Sequence, residues 1–276
     1  MAAETLPYQQ WQARLDPRQI YSQPPAPLYP ALIDGQLYYL EQRAAEGGRS
    51  VLVSQQLDGT SAAIKRTLTP DGFNIRSRVH EYGGKAFLLA NGYAWFINDS
   101  DSRIYRQKLI PESVPEVLSA AEGNDQAIDF QLTADGKYLI FVQEHPSEDG
   151  ENENFICVLT LHPESDGIPA RLVTGADFYA NPVISPDGSK MSWIEWDHPQ
   201  MPWDGSLLKS GQLRVQQGVL TIDPKSVVTI AGGKECAVNQ LQYSPAGRLF
   251  FALDGSDEIR GLQAESWDLF SWDGQL

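Results

Sequence analysis

Two short stretches gather most of the side chains able to do chemistry. In the first, Arg78, His80, Glu81 and Tyr82 surround one aliphatic residue, Val79, ahead of the pair Gly83–Gly84. A carboxylate that faces a cavity suits the holding of a cation, because a charge-assisted hydrogen bond strengthens where water is scarce. The same residues have a structural reading. Arg78 and Glu81 would form an internal ion pair fixing the start of a strand, and the two glycines would make a bulge or a close backbone approach. The second stretch, WDHPQMPWDG over 196–205, holds Asp197, His198, Trp203 and Asp204 among two prolines. Such a loop is rigid, and loops carried on a scaffold are where recognition usually sits. In its structural reading Trp196 and Trp203 pack between sheets while the acids cap turns.

Other chemistry finds little support. The nucleophile elbow of an α/β-hydrolase is G-x-S-x-G. Gly59-Thr60-Ser61-Ala62-Ala63 comes nearest and lacks the second glycine, and the DGS triplets at 187–189, 204–206 and 254–256 also fail. No catalytic residue is therefore assigned, and no cofactor or metal is expected. Asn98-Asp99-Ser100-Asp101-Ser102 superficially matches a calcium loop, but position six, counted from Asp99, is Ile104 rather than glycine. A solvated hairpin turn fits better. Cys157 and Cys236 stand 79 residues apart, outside any C-x-x-C pair. They read as small buried thiols in a reducing compartment. The formal net charge of −15 repels phosphate backbones and argues against nucleic acid as a partner. The amino-terminal MAAETLPYQQWQARL has no basic start followed by an apolar run, and no stretch approaches the ~18 apolar residues of a membrane span. A cytoplasmic protein with no membrane partner is the expectation. The acidic run 144–154, EHPSEDGENEN, reads as an exposed hairpin loop.

The elements that must position these residues repeat. Gly35, Gly92, Gly136, Gly188 and Gly247 each end a turn and precede a short apolar or aromatic run: LYYLE, YAWFIN, KYLIFV, SKMSWI and RLFFAL. Asp-Gly or Asn-Gly before β-branched and aromatic residues signals a hairpin, because the tight turn requires positive φ. A second strand-like segment follows each run, and further short segments follow in the first four repeats. The unit is strand, turn, strand, loop, strand, turn, strand over about fifty residues, the signature of a β-propeller blade. With 18 prolines and 23 glycines punctuating the chain and helical stripes nearly absent, the fold expected is all-β, a propeller of four-stranded antiparallel blades. About five blades are readable, at roughly 27–70, 71–121, 124–176, 177–233 and 236–276, the last one incomplete. Residues 1–26 would form an N-terminal segment able to supply a ring-closing strand. The alternative is that the chain is a piece of a larger ring.

The order and wording of several segments resemble the propeller of bacterial prolyl oligopeptidase-family serine peptidases, the dipeptidyl aminopeptidase or acylaminoacyl peptidase branch. The segments are LPYQQW (6–11), YYLEQRAAEGGRSVLV (38–53), RSRVHEYGGKAF (76–87), NDSDSRIYR (98–106), DFYANPVISPDG (177–188) and WIEWDHPQMPWDGSLL (193–208). Lys85 stands where the family usually has glycine, and Ala246 where it has aspartate. The resemblance implies a non-catalytic propeller that gates and anchors short peptides. Its partner would be a C-terminal α/β-hydrolase domain not contained in this chain. It also implies that a propeller carboxylate holds the ammonium of the peptide N-terminus, and Glu81 is the candidate. The rival expectation is a stand-alone, TolB-like propeller acting as a protein-interaction scaffold.

Overall fold

The computed structural model describes residues 27–57, 64–120, 123–147 and 150–274. The N-terminal segment 1–26 and the 59–63 stretch with Ser61 lie outside these residues. Twenty strands are formed among those described. The first sheet contains β1 (Leu28–Ile33), β2 (Gln36–Arg43), β3 (Arg49–Gln56) and β4 (Lys65–Thr67). The second contains β5 (Phe87–Ala90), β6 (Tyr93–Asn98), β7 (Arg103–Lys108) and β8 (Glu116–Val117). The third contains β9 (Gln126–Leu132), β10 (Tyr138–His145), β11 (Glu153–Thr160) and β12 (Ala170–Val173). Each is a four-stranded antiparallel meander in chain order, as the repeated turn-and-run pattern predicts.

In the fourth sheet β13 (Phe178–Ile184), β14 (Lys190–Trp196), β15 (Ser206–Gln216) and β17 (Val228–Gly233) form the same meander, with β16 (Val219–Ile222) added as a hairpin on the end of β15. A single residue pair, Gly233 with Cys236, continues this sheet into β18 (Cys236–Tyr243), β19 (Leu249–Ser256) and β20 (Gln263–Trp272). The hairpin was not anticipated from sequence. Its turn carbonyl, Gly218 O, accepts from the Tyr138 hydroxyl at 2.7 Å and so straps the fourth sheet to the third.

The sheets stack face to face like blades. Along β10, Leu139 and Phe141 enter the core shared with the first two sheets, whereas Ile140 and Val142 enter the core shared with the fourth. Along β14, Met191 and Trp193 face the third sheet, and Ile194 and Trp196 belong to the core built with β18 and β19. Strands buried on both faces explain why these runs read as almost continuously apolar rather than alternating. Full burial of each such side chain contributes about 1.5–3 kcal/mol.

The first strands of successive sheets meet one another: β5 contacts β9, β9 contacts β13, and β13 contacts β18. Most carry a bulge with one residue at positive φ: Tyr29 on β1, Asp129 on β9, Asn181 on β13 and Gln240 on β18. A relay of hydrogen bonds passes through these bulges. Asp129 N–H donates to Lys85 O (3.0 Å), Asn181 N–H to Asp129 Oδ2 (2.9 Å), and Leu241 N–H to Asn181 Oδ1 (2.7 Å). Innermost strands linked in series, with the later strands of each sheet lying farther out, make this arrangement a β-propeller.

Candidate functional site

The turn ahead of β5 is held by two backbone bonds, Glu81 N–H to Arg78 O (2.7 Å) and Gly83 N–H to Val79 O (2.9 Å). Val79, fully buried, plugs the turn into the core between sheets. His80 and Glu81 then take φ of 55° and 67°, a left-handed conformation that costs non-glycine residues free energy. Gly83, at φ 79°, could not be replaced freely, since a Cβ there would sit 2.5 Å from Ser77 O. Glu81 and Tyr82 are in consequence exposed beside the end of β10.

Glu144 is the second carboxylate at this place. It lies on the same face of β10 as Ile140 and Val142 and is buried, 6% exposed. Its Oε2 accepts the His80 N–H at 2.9 Å. Burial raises its pKa above the usual carboxylate value, and the nearby Glu81 charge raises it further. Hydrogen bonds from the His80 backbone and the Asn152 side chain act the other way. The His80 ring is edge-on to Phe178 and Trp196, at 5.3 Å from each, and Phe178 stacks on Trp196 at 5.3 Å. Burial pushes the imidazole down to about 4, against a hydrogen-bonding contribution from Asn154. His80 is therefore neutral at pH 7.

The 196–205 loop closes the other side. Asp197 Oδ1 accepts the Asp177 N–H (2.8 Å), and Asp177 Oδ2 accepts the His198 N–H (2.9 Å), a reciprocal knot that fixes the loop to the start of β13. The same backbone bond is the largest cause of the lowered Asp177 pKa. Asp204 Oδ2 accepts the Met201 N–H at 3.3 Å. Gly205 lies so close to the carbonyls of Gly233 and Lys234 that no side chain fits.

Between the two walls is a cleft of about 490 Å³. His80, Glu81 and Tyr82 line it from one side, and His198, Gln200 and Met201 from the other. Glu144, Glu151, Phe178 and Trp196 also border it. The two stretches singled out in the sequence, more than a hundred residues apart, thus meet at one site. Carboxylates backed by aromatic rings and a neutral imidazole can hold an organic cation with apolar surroundings.

Other candidates lie elsewhere. Arg78 is exposed, 3.9 Å from Asp99, and its ion pair is with that residue rather than with Glu81. Trp203 is 57% exposed rather than packed between sheets, while Trp196 is buried. Trp203 and Asp204 do not line the cleft, and Asp197 contributes through its cap on Asp177. Asn98–Ser102 forms the β6–β7 hairpin turn, with Asn98 Nδ2 donating to Ser100 and Asp101. Both cysteines are buried free thiols, Cys157 pushed up to about 12 by burial.

Sequence reasoning missed Glu144, Glu151 and Phe178. The first two sit in the acidic run read as an exposed loop. Glu144 shares a face of β10 with Ile140 and Val142, but a run buried on both faces shows no alternation from which that could be read.

No family model and no curated protein matches the sequence. Among solved structures, the chain is similar to a puromycin hydrolase mutant complexed with PGG, at 26% identity and a TM-score of 0.78 over 98% of this chain and 40% of that one. A puromycin hydrolase matches at 26% identity and 0.76, over 95% and 42% of the two chains. A puromycin-hydrolyzing peptidase from Mycobacterium tuberculosis matches at 26% and 0.74, over 98% and 42%. Over nearly its whole length the chain is similar to the propeller domains of puromycin hydrolases, which belong to the prolyl oligopeptidase family. The present chain spans about two fifths of the length of these hydrolases. Among the described residues, no helix is long and apolar enough to cross a membrane.

Proposed function

We propose that this propeller anchors the amino terminus of short peptides for a prolyl oligopeptidase-like serine peptidase, whose α/β-hydrolase domain lies outside this chain. The observation that carries the reading is the pairing of Glu81 and Glu144 at one end of an aromatic-walled cleft. An α-ammonium has three donors and needs acceptors that have already given up their water. Glu144 is desolvated before any ligand arrives, its position fixed by the His80 N–H. Glu81 is exposed and free to adjust. An arriving ammonium would relieve the repulsion between the two carboxylates as well as gain hydrogen bonds. The role is one of binding and access. A cleft that fixes the peptide end sets which bond is presented for cleavage, and a propeller that covers the reacting centre excludes folded proteins and competing water.

Calorimetric titration with Phe-Gly-Gly and its N-acetyl derivative tests this. Glu81→Gln and Glu144→Gln are each expected to weaken binding of the free peptide by roughly 10- to 100-fold, the range for hydrogen bonds to charged groups. The acetylated peptide should bind weakly to all forms. Equal affinity for the two peptides would overturn the reading. In the enzyme that carries the hydrolase domain, the same variants should raise KM for free peptides.

A further inference from the structure

His198 is the one imidazole among the described residues that stands between two carboxylates of different elements. Its Nδ1 is 3.0 Å from Asp177 Oδ2, on the corner before β13, and 3.5 Å from Glu151 Oε2, on the loop between β10 and β11. The ring packs against Phe178, centroids 4.9 Å apart, and lines the cleft, as Glu151 does. The backbone knot with Asp177 and Asp197 holds the histidine in place whatever its protonation state. Other titratable groups on the cleft are Glu81, Glu144, Tyr82 and His80. His198 is therefore the group there positioned to add positive charge.

We propose that His198 is a proton-controlled tie that sets how many carboxylates the cleft offers to a cationic ligand. Protonated, the imidazolium attracts both Asp177 and Glu151 and keeps Glu151 turned to itself. Neutral, a single Nδ1 hydrogen serves one acceptor, and Asp177 is the nearer and the one already fixed by the backbone. Glu151, 80% exposed, then has no cation to hold it and is free to turn to an ammonium that arrives beside Glu81 and Glu144. The peptide N-terminus would meet two carboxylates in the first state and three in the second. No bond is made or broken, and the only exchange is a proton between the ring and solvent. This inference rests on the cleft being a cation site, as proposed above, but the tie exists or fails independently of any peptide.

The experiment follows the carboxyl carbon of Glu151 and the ring of His198 by NMR through a pH titration of the whole chain with labelled glutamate and histidine. Expected is a second inflection of the Glu151 signal coincident with His198, absent in His198→Gln. Phe-Gly-Gly affinity is then compared at about pH 5.5 and about pH 7, where its α-amine stays mostly protonated. The wild-type gain on going to the higher pH should shrink by about 2- to 5-fold in His198→Gln, the range of a solvent-exposed ion pair. Glu151→Gln should lose the same part of the pH dependence while His198 still titrates, which separates the tie from any misfolding of the histidine variant. A Glu151 signal indifferent to His198 overturns the proposal. An inflection that is present while Phe-Gly-Gly fails to bind supports the tie and removes the N-terminus reading instead.

Discussion

At the scale of single residues, His80 combines an uncommon backbone with an uncommon titration. Its φ of 55° turns the N–H toward Glu144 and the ring toward Phe178 and Trp196. Burial lowers the imidazole to about 4, from the usual 6.5. The unfolded chain therefore takes up a proton between about pH 6.5 and 4 that the folded chain refuses. This contribution to stability is full above the unfolded value and is lost as pH falls through that window. Its size is on the order of 2 kcal/mol, after a discount for the part of the ring that meets solvent. Glu144 and Asp129, both raised by burial, act with the opposite sign. The difference between wild type and a variant isolates the histidine. His80→Asn, which tolerates the left-handed backbone, should flatten the fall in urea midpoint between about pH 6.5 and 4 relative to wild type. Parallel curves for the two proteins would assign the pH dependence elsewhere. Of this site the sequence made legible Glu81 and His198, because clustered acids and imidazoles beside Gly or Pro stand out in any chain. Glu144 was not legible. A carboxylate at the end of an apolar strand reads as the start of a loop unless the strand's inward face is known.

At the scale of elements, the hairpins were legible because a turn that needs positive φ announces itself through Asn-Gly or Asp-Gly. The observed Gly92, Gly136 and Gly188 have φ of 77°, 68° and 71°. The inner-strand bulges were hidden. Tyr29, Asp129, Asn181 and Gln240 share a conformation but no residue type, so no local pattern marks them. What they do is join sheet to sheet through side chain and backbone. Asn181→Gly keeps the backbone conformation and deletes the acceptor for Leu241 N–H. It should cost about 1–3 kcal/mol, most of it the price of an unpaired amide. The Leu241 amide should also exchange faster with solvent than in wild type. Unchanged stability and unchanged exchange would show that the relay carries no load between the blades.

At the scale of the molecule, chemistry-bearing residues from distant parts of the chain meet because the blades are stacked about an axis. The turn before β5, the end of β10, the start of β13 and the β14–β15 loop all reach the same cleft. No helix or flexible linker is required. The end of β10, the start of β13 and the end of β14 belong to strands with side chains in two cores, so their positions are set from either side. The propeller itself was legible from the repeat, whereas the meeting of two loops was not, since it depends on how successive blades are rotated against each other. The central claim is that this meeting place receives a peptide's amino terminus. Its most direct test is amide chemical-shift mapping of the labelled chain titrated with Phe-Gly-Gly and with N-acetyl-Phe-Gly-Gly. The account predicts saturable shifts at His80–Gly83, Glu144, Phe178 and Trp196 with the free peptide, and little change there with the acetylated one. Shifts confined to the opposite turns, around Gly136 and Gly188, or identical maps for the two peptides, would contradict it.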